Sequence, residues 1–570
     1  MKRNNIKALS YSLPLIFSLI LAAMCGFTAA GQQASTQSKV LNNAVVNPPL
    51  KFDVSPPLGE MLTLAAVPGS SHVTHAPLHP KQQQPNGLPA NQTAVAPAAG
   101  LAPSASPLIG ATVGLSFEGV GDAPSASLNC ANVTGFAVAP PDTNAAVGDT
   151  QVVEWVNICY AVFEKSSGAV LAGPVSGNAF WAGFGGPCET SNDGDIIIQW
   201  DKKNHRWLAS QNVFSSPYMT CIAVSQTNDA TGSYFRYAFP QPGFPDYPKW
   251  GLTPNVYYQT QNDFGPQANA YVGVNLCAYQ GNLMRKGNSH AAQICILDTS
   301  NGTLFDDSML PADDDSSVSV SGAPEVLLGS IDNFLPGDSH VYEYVFTPDF
   351  DNPANSSLAG VDGSMPINVP AFDLAICVSG KFLTTDCVPQ PHTTAMLDTL
   401  GDRLMYRLAH SVTDQQHFMV THNVNDTSAV AARWYEFRAP ADGSTNLSLF
   451  QSGQTPDDSE YRWMGSIARD KLGNIALGYS RSSGAHDDYP SIYYSGQTSG
   501  DPPGTTEREA LIKQGSGSQR DTVNRWGDYS SMALDGADSC TFWYANEYYP
   551  ATGSFAWATW LASLKFPRCH

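Results

Sequence analysis

Two stretches near the C-terminus open in the same way. Asn524-Arg525-Trp526-Gly527-Asp528-Tyr529 leads into Ser530-Ser531-Met532-Ala533-Leu534, then a turn, then Cys540-Thr541-Phe542-Trp543-Tyr544. Arg462-Trp463-Met464-Gly465-Ser466 leads into Ile467-Ala468, turns at Lys471-Leu472-Gly473-Asn474, and returns as Ile475-Ala476-Leu477-Gly478-Tyr479. Each is a charged, aromatic opening followed by two short apolar strands joined by a tight turn. Strands bounded by Asp, Asn and Gly turns specify an all-β chain. Recurrence of one such unit narrows that to a repeat architecture. Where units become the blades of a β-propeller, their first strands start near one end of a central axis, so the openings converge.

From about residue 108 onward, seven units of this kind can be read. They open at Pro141-Asp142-Thr143-Asn144, Asp193-Gly194-Asp195, Asp246-Tyr247-Pro248-Lys249-Trp250, Glu325, Asp402-Arg403, Arg462 and Arg525. The spacing averages roughly 65 residues against the ~40–50 of compact propeller repeats, so the excess belongs in loops such as 312–323 and 482–490. The expectation is a β-propeller of seven blades, with six or eight compatible with the same spacing. A pair of β-sandwiches is the competing architecture.

The first thirty residues stand apart. Lys2, Arg3 and Lys7 precede the apolar run Leu13 to Met24, and Thr28-Ala29-Ala30 suits cleavage, which is the pattern of a secretory signal peptide. Met24 before Cys25 does not suit a lipoprotein site. Residues 31–107 are rich in Pro, Ala, Gln, Asn and Ser, too poor in apolar matter for a core, and are read as a disordered linker before a domain at 108–570. Within it, Lys51-Phe52-Asp53-Val54-Ser55-Pro56-Pro57-Leu58 resembles a docking strand or a propeptide. Ten cysteines remain after Cys25, an even number that suits disulfides in an exported chain. Cys277 with Cys295, Cys377 with Cys387 and Cys540 with Cys569 are the nearest pairs; sequence does not fix the connectivity. Location outside the cytoplasm, extracellular or periplasmic, follows. No second apolar stretch reaches membrane-spanning length. A formal charge of −21 disfavours nucleic acid and anionic membranes as partners.

If the openings share one face, Asp142, Asn144, Asp193, Asp195, Asp246, Lys249, Arg403, Arg462, Arg525 and Asp528 gather there, with Tyr247, Trp463, Trp526 and Tyr529 beside them. Arginine forks suit a carboxylate or another planar anion, and aromatic faces suit the apolar side of a sugar ring. Paired carboxylates perform glycoside cleavage, one as acid and the other as base or nucleophile. A carboxyl crowded by others would have a raised pKa and serve as the acid. The same residue types also tie blades together through ion pairs, and for any one residue that is the simpler role. Asp193-Gly194-Asp195 offers two hard-oxygen ligands that could hold calcium, without the spacing of an EF-hand. No GxSxG, HExxH, P-loop or zinc spacing occurs.

The segments Arg525-Trp526-Gly527-Asp528-Tyr529-Ser530, Arg462-Trp463-Met464-Gly465-Ser466 and Pro141-Asp142-Thr143-Asn144 resemble a group of exported bacterial β-propeller proteins of sialidase-like type. The resemblance covers roughly residues 115 to 569. It implies a glycoside hydrolase acting on an extracellular glycan or glycoprotein, with Arg403, Arg462 and Arg525 as an arginine triad. Asp142 or Asp193 would be the acid, and Tyr529 or Tyr247 the nucleophile. The convergence of openings, rather than the resemblance, adds Asp528 to the catalytic candidates and Trp463, Trp526 and Asp246 to the substrate-binding ones. The chain lacks the Phe/Tyr-Arg-Ile-Pro segment of sialidases, and Ser191-Asn192-Asp193-Gly194-Asp195 with Trp200 is a loose echo of their Asp box. A non-catalytic propeller that binds a glycan or a protein is the alternative.

Overall fold

The computed structural model describes residues 38–64, 110–268, 270–299, 308–316, 322–330, 338–379, 382–485, 487–520 and 524–570. The segment read as a signal peptide and residues 31–37 and 65–107 of the linker lie outside them. The fold is all-β, and most of its strands form runs of four in antiparallel order. Sheet 1 comprises Asn144–Val147, Gln151–Val156, Cys159–Glu164 and Val170–Ser176. Sheet 2 comprises Ile197–Asp201, Arg206–Val213, Met219–Ser225 and Tyr234–Pro240; sheet 3 comprises Pro245–Leu252, Tyr257–Asp263, Gly273–Tyr279 and Gln293–Asp298. Sheet 4 (Leu310–Asp314, Glu325–Gly329, Asp338–Thr347, Ser357–Ala359) is fused to sheet 5 (Leu404–Val412, Gln415–Asn425, Val430–Pro440, Ser448–Gln454) by parallel pairing of Ala312 with Leu408. Sheet 6 comprises Tyr461–Arg469, Ile475–Ser482, Ser491–Gln497 and Ala510–Lys513. Sheet 7 comprises Ser531–Leu534, Thr541–Tyr548 and Ala558–Lys565, completed by Thr112–Gly121 from the other end of the chain.

The first strands of successive sheets are neighbours in space, from Asn144–Val147 through Ile197–Asp201, Pro245–Leu252, Leu310–Asp314, Leu404–Val412 and Tyr461–Arg469 to Ser531–Leu534. That last strand also packs against Asn144–Val147. These strands are buried on both faces over most of their length, with charged side chains such as Lys249, Asp313, Arg407 and Arg462 among the buried ones. Register shifts interrupt three of them, between Asp246 and Lys249, Met405 and Ala409, and Trp463 and Ser466. Such bulges re-aim side chains.

The fourth unit is corrected. Its first strand is Leu310–Asp314, whose last three residues fall in the segment 312–323 read as a loop, and Glu325–Gly329 is the second strand. The burial is made possible by Arg407, which pairs with Asp313 and Asp315, while Lys202 also binds Asp315.

The linker is corrected over residues 38–64. Val40–Leu41 pairs with Ala359 and Leu358 on sheet 4, Val45–Asn47 with sheet 3, and Lys51–Val54 with sheet 2, followed by a helix at Leu58–Leu64. The docking strand read at residues 51–58 is present as Lys51–Val54; the rest gave no sign in composition, because ladder bonds to waiting sheet edges come from backbone, not from side chains.

Five disulfides pair Cys130–Cys159, Cys188–Cys221, Cys277–Cys295, Cys377–Cys387 and Cys540–Cys569. Three are the nearest-neighbour pairs expected from sequence. Among the described residues, no helix is long and apolar enough to cross a membrane.

Candidate functional site

The openings of sheets 7, 1, 2 and 3 are stitched together by side chains that accept from the next opening's backbone. The Asp528 N–H donates to Asp142 Oδ1 at 2.7 Å. Asn157 Nδ2 donates to Asp142 Oδ2 at 2.8 Å, and Asn157 Oδ1 accepts from the Asp195 N–H at 2.8 Å. Asp195 Oδ2 then accepts from the Tyr247 N–H at 2.9 Å. Asp142, Asp195 and Tyr247 all lie in the left-handed region, with φ of 50°, 48° and 54°. Non-glycine residues rarely adopt it. Among these three, the Tyr247 N–H meets the Asp195 carboxylate and the Asp195 N–H meets the Asn157 amide oxygen.

Lys249 is the central cation. It is 1 % exposed, and its Nζ lies 3.2 Å from the centroid of the Tyr247 ring and 4.3 Å from that of Tyr529. It donates to the Pro248 carbonyl at 3.0 Å. Burial brings its pKa down to about 7, against the attraction of Asp195, Asp528 and Asp142. Burial, helped by Asp528 and opposed by Arg525, pushes Asp142 up to about 7. Burial also pushes the Tyr247 and Tyr529 hydroxyls well above their ordinary range. Tyr529 lies 5.4 Å from Tyr406, whose hydroxyl accepts from Asn144 and Gln199 at 3.4 Å and 3.3 Å.

The three arginines take separate partners. Arg525 pairs with Asp528. Arg403 forks onto Asp402 through Nε and Nη2 at 2.8 Å each, donates to Ser308 Oγ, and lies 4.7 Å from the Tyr247 centroid. Arg462 is bound within sheet 6 and its flanking loop by Glu509 and Asp458. Arg403 and Arg525 thus border the Lys249 cluster, while the described contacts of Arg462 all lie elsewhere. Asp193 accepts from the Phe214 N–H, and Asp246 is buried opposite Asn262 in sheet 3. Trp463 and Trp526 pack at 5.6 Å with neither ring exposed, and Trp526 Nε1 donates to Ser480. Neither indole offers a face for sugar stacking. Among the described residues, no group of three or more His, Cys, Asp or Glu could hold a metal ion. Asn157, the strap between two openings, carried no sequence signal beyond that of an ordinary turn residue.

A cavity lies further along the first strands, lined by Gln199, Lys202, Asp313, Tyr406, Arg407 and apolar neighbours. It leaves about 20 Å³ for the centre of a water-sized sphere, room for one water rather than a sugar.

No family model matches the chain, and neither does any curated protein. Among solved structures it is similar to the phage phi92 endosialidase, at 8 % identity over 81 % of this chain and 70 % of that one, with a TM-score of 0.37. It is similar to the α-L-arabinofuranosidase of Fusarium graminearum, at 8 % identity over 80 % and 99 %, with a TM-score of 0.35. Drosophila semaphorin 1b, extracellular domains 1–2, matches at 6 % identity over 81 % and 88 %, with a TM-score of 0.34.

Proposed function

We propose that this chain is an exported seven-bladed β-propeller that works as a binding module for an extracellular glycan or glycoprotein, with the Asp/Arg/Tyr cluster as the hub that fastens its blades. The succession of neighbouring first strands, returning from Ser531–Leu534 to Asn144–Val147, supports the ring. Export is supported by five disulfides, since such bonds persist in oxidising compartments. One observation carries the non-catalytic reading: the hub's polar groups are spent on one another. Asp142, Asp528, Tyr529, Lys249 and Arg525 are each at most 5 % exposed. A glycosidase needs two carboxyls flanking a cavity that admits a sugar. The formal charge of −21 favours a neutral or cationic partner over a polyanionic one.

A glycoside hydrolase is the second reading, favoured by Asp142, whose carboxyl at about 7 has the poise of a general acid and lies beside Asp528. The two readings part in one experiment. The chain and its Asp142→Asn, Asp528→Asn and Arg525→Ala variants are assayed on a glycan panel for both binding and turnover. The binding module retains ligand affinity in Asp142→Asn and turns nothing over. Turnover by the parent chain, abolished by Asp142→Asn at unchanged melting temperature, would establish the hydrolase instead.

A further inference from the structure

Residues 39–61 run along the outer edges of three sheets in reverse chain order. Lys39 pairs with Asp362 at 2.7 Å, and Val40–Leu41 extends sheet 4. Asn43 donates to the Leu297 carbonyl at 3.2 Å, and Val45–Asn47 extends sheet 3. Lys51–Val54 extends sheet 2, continued by the Leu50 N–H onto the Ala238 carbonyl and the Ser55 N–H onto the Tyr234 carbonyl, both at 2.8 Å. Main-chain ladders of this kind are how sheets capture extended peptides, with side-chain pockets adding selectivity.

Two such pockets are present. Arg236, 1 % exposed, forks onto Asp53 through Nε at 2.9 Å and Nη2 at 2.7 Å. Its third nitrogen is fixed by the carbonyls of Phe180 and Ala182, so the guanidinium is aimed in advance at an incoming carboxylate. Leu58 and Met61 are fully buried in the cluster that holds Phe180, Trp181 and Trp155. Phe52 packs on Tyr237 at 5.0 Å. Without this segment the three edges would present open ladders, which proteins ordinarily block.

We propose that the outer edges of sheets 2, 3 and 4 form a strand-acceptor site, and that residues 39–61 are its ligand, held by their own contacts rather than by their covalent connection. This goes beyond the binding reading above and does not depend on it. The connection from Leu64 to Thr112 only raises the local concentration of the segment. The site selects a peptide extended around one carboxylate that meets Arg236 and, five and eight residues later, turning into a helix that buries two apolar side chains.

The test uses the full chain with a specific protease site in place of residues 82–86, cut after folding and passed through size exclusion. The arm fragment is expected to co-elute with the body. Arms carrying Asp53→Ala or the pair Leu58→Ser and Met61→Ser are expected to separate from it. A labelled peptide of residues 38–64 should bind an emptied body at least tenfold more tightly than its Asp53→Ala form. A parent arm that leaves on cutting and does not rebind as the peptide would overturn the proposal. So would variant arms and peptides that bind as well as the parent.

Discussion

The N–H of Asp528 donates to Asp142 across 386 positions of sequence. One short bond therefore joins the opening of sheet 7 to that of sheet 1. The carboxylate is held on its other side by Asn157, which also receives the opening of sheet 2. Loss of the acceptor would release two junctions together.

Asp142→Asn keeps an acceptor for the Asp528 N–H and removes the titration. The folded carboxyl titrates near 7, above its ordinary 3.8. Its contribution to stability is fully present below about pH 4 and is lost as pH rises through 7. The parent's stability should fall relative to Asp142→Asn across that window, by up to about 1.4 kcal/mol per pH unit, and its melting temperature with it. Thermal melts at pH 4, 5.5 and 7.5 would show parallel curves if the carboxyl does not titrate there.

Lys249→Met should act with the opposite sign. The folded ammonium titrates near 7, below its ordinary 10.5. Its contribution is present above about pH 10.5 and is lost as pH falls through 7. Relative to the methionine variant, the parent should gain stability between pH 7 and 10. Denaturant midpoints at three pH values check this, and a constant difference between the two proteins would contradict it.

The repeat was legible because its openings carry charge and aromatics at matching places, as at Arg462-Trp463 and Arg525-Trp526. The role of those residues was not. A tryptophan that starts a strand looks the same in sequence whether it faces a ligand or a neighbouring blade, and here both indoles are buried. Leu310–Asp314 escaped because Asp313 within it and Asp315 just beyond it are neutralised by Arg407, a partner nearly a hundred residues away. Residues 38–64, apart from the docking strand read at residues 51–58, escaped because a segment with no core of its own can still be ordered by the edges it joins.

Gly119→Val should unseat the strand Thr112–Gly121 from sheet 7. A Cβ at Gly119 would collide with the Glu154 carboxylate, the Thr559 hydroxyl and the Leu561 side chain. Overpacking of this kind costs about 1–3 kcal/mol. Hydrogen exchange should rise first at Ala558–Lys565, the strand that Thr112–Gly121 covers; protection equal to the parent's would refute the assignment.

Arg462→Ala should destabilise the chain by about 3 kcal/mol, because it leaves Glu509 without its forked partner. Ligand binding should survive, since Arg462 is engaged within sheet 6 and its flanking loop. A normal melting temperature together with abolished binding would instead return Arg462 to the recognition surface.

Replacing both Cys130 and Cys159 by Ala should cost about 2–4 kcal/mol. This bridge fastens the segment that follows Leu128–Asn129, the parallel edge of sheet 7, to the third strand of sheet 1. Urea midpoints of the oxidised parent and the double variant measure the difference.

Thr112 and Lys565 are register partners, and 453 positions separate them. A ribosome adding about 5–20 residues per second makes the earlier partner roughly 20–90 s before the later one. Throughout that interval Thr112–Gly121 can pair only with Leu128–Asn129 at its end, so the nascent chain must carry a largely unsatisfied ribbon until Ala558–Lys565 is made. Premature termination anywhere before residue 558 would therefore leave Thr112–Gly121 without its long antiparallel partner, and quality control should remove such fragments whole.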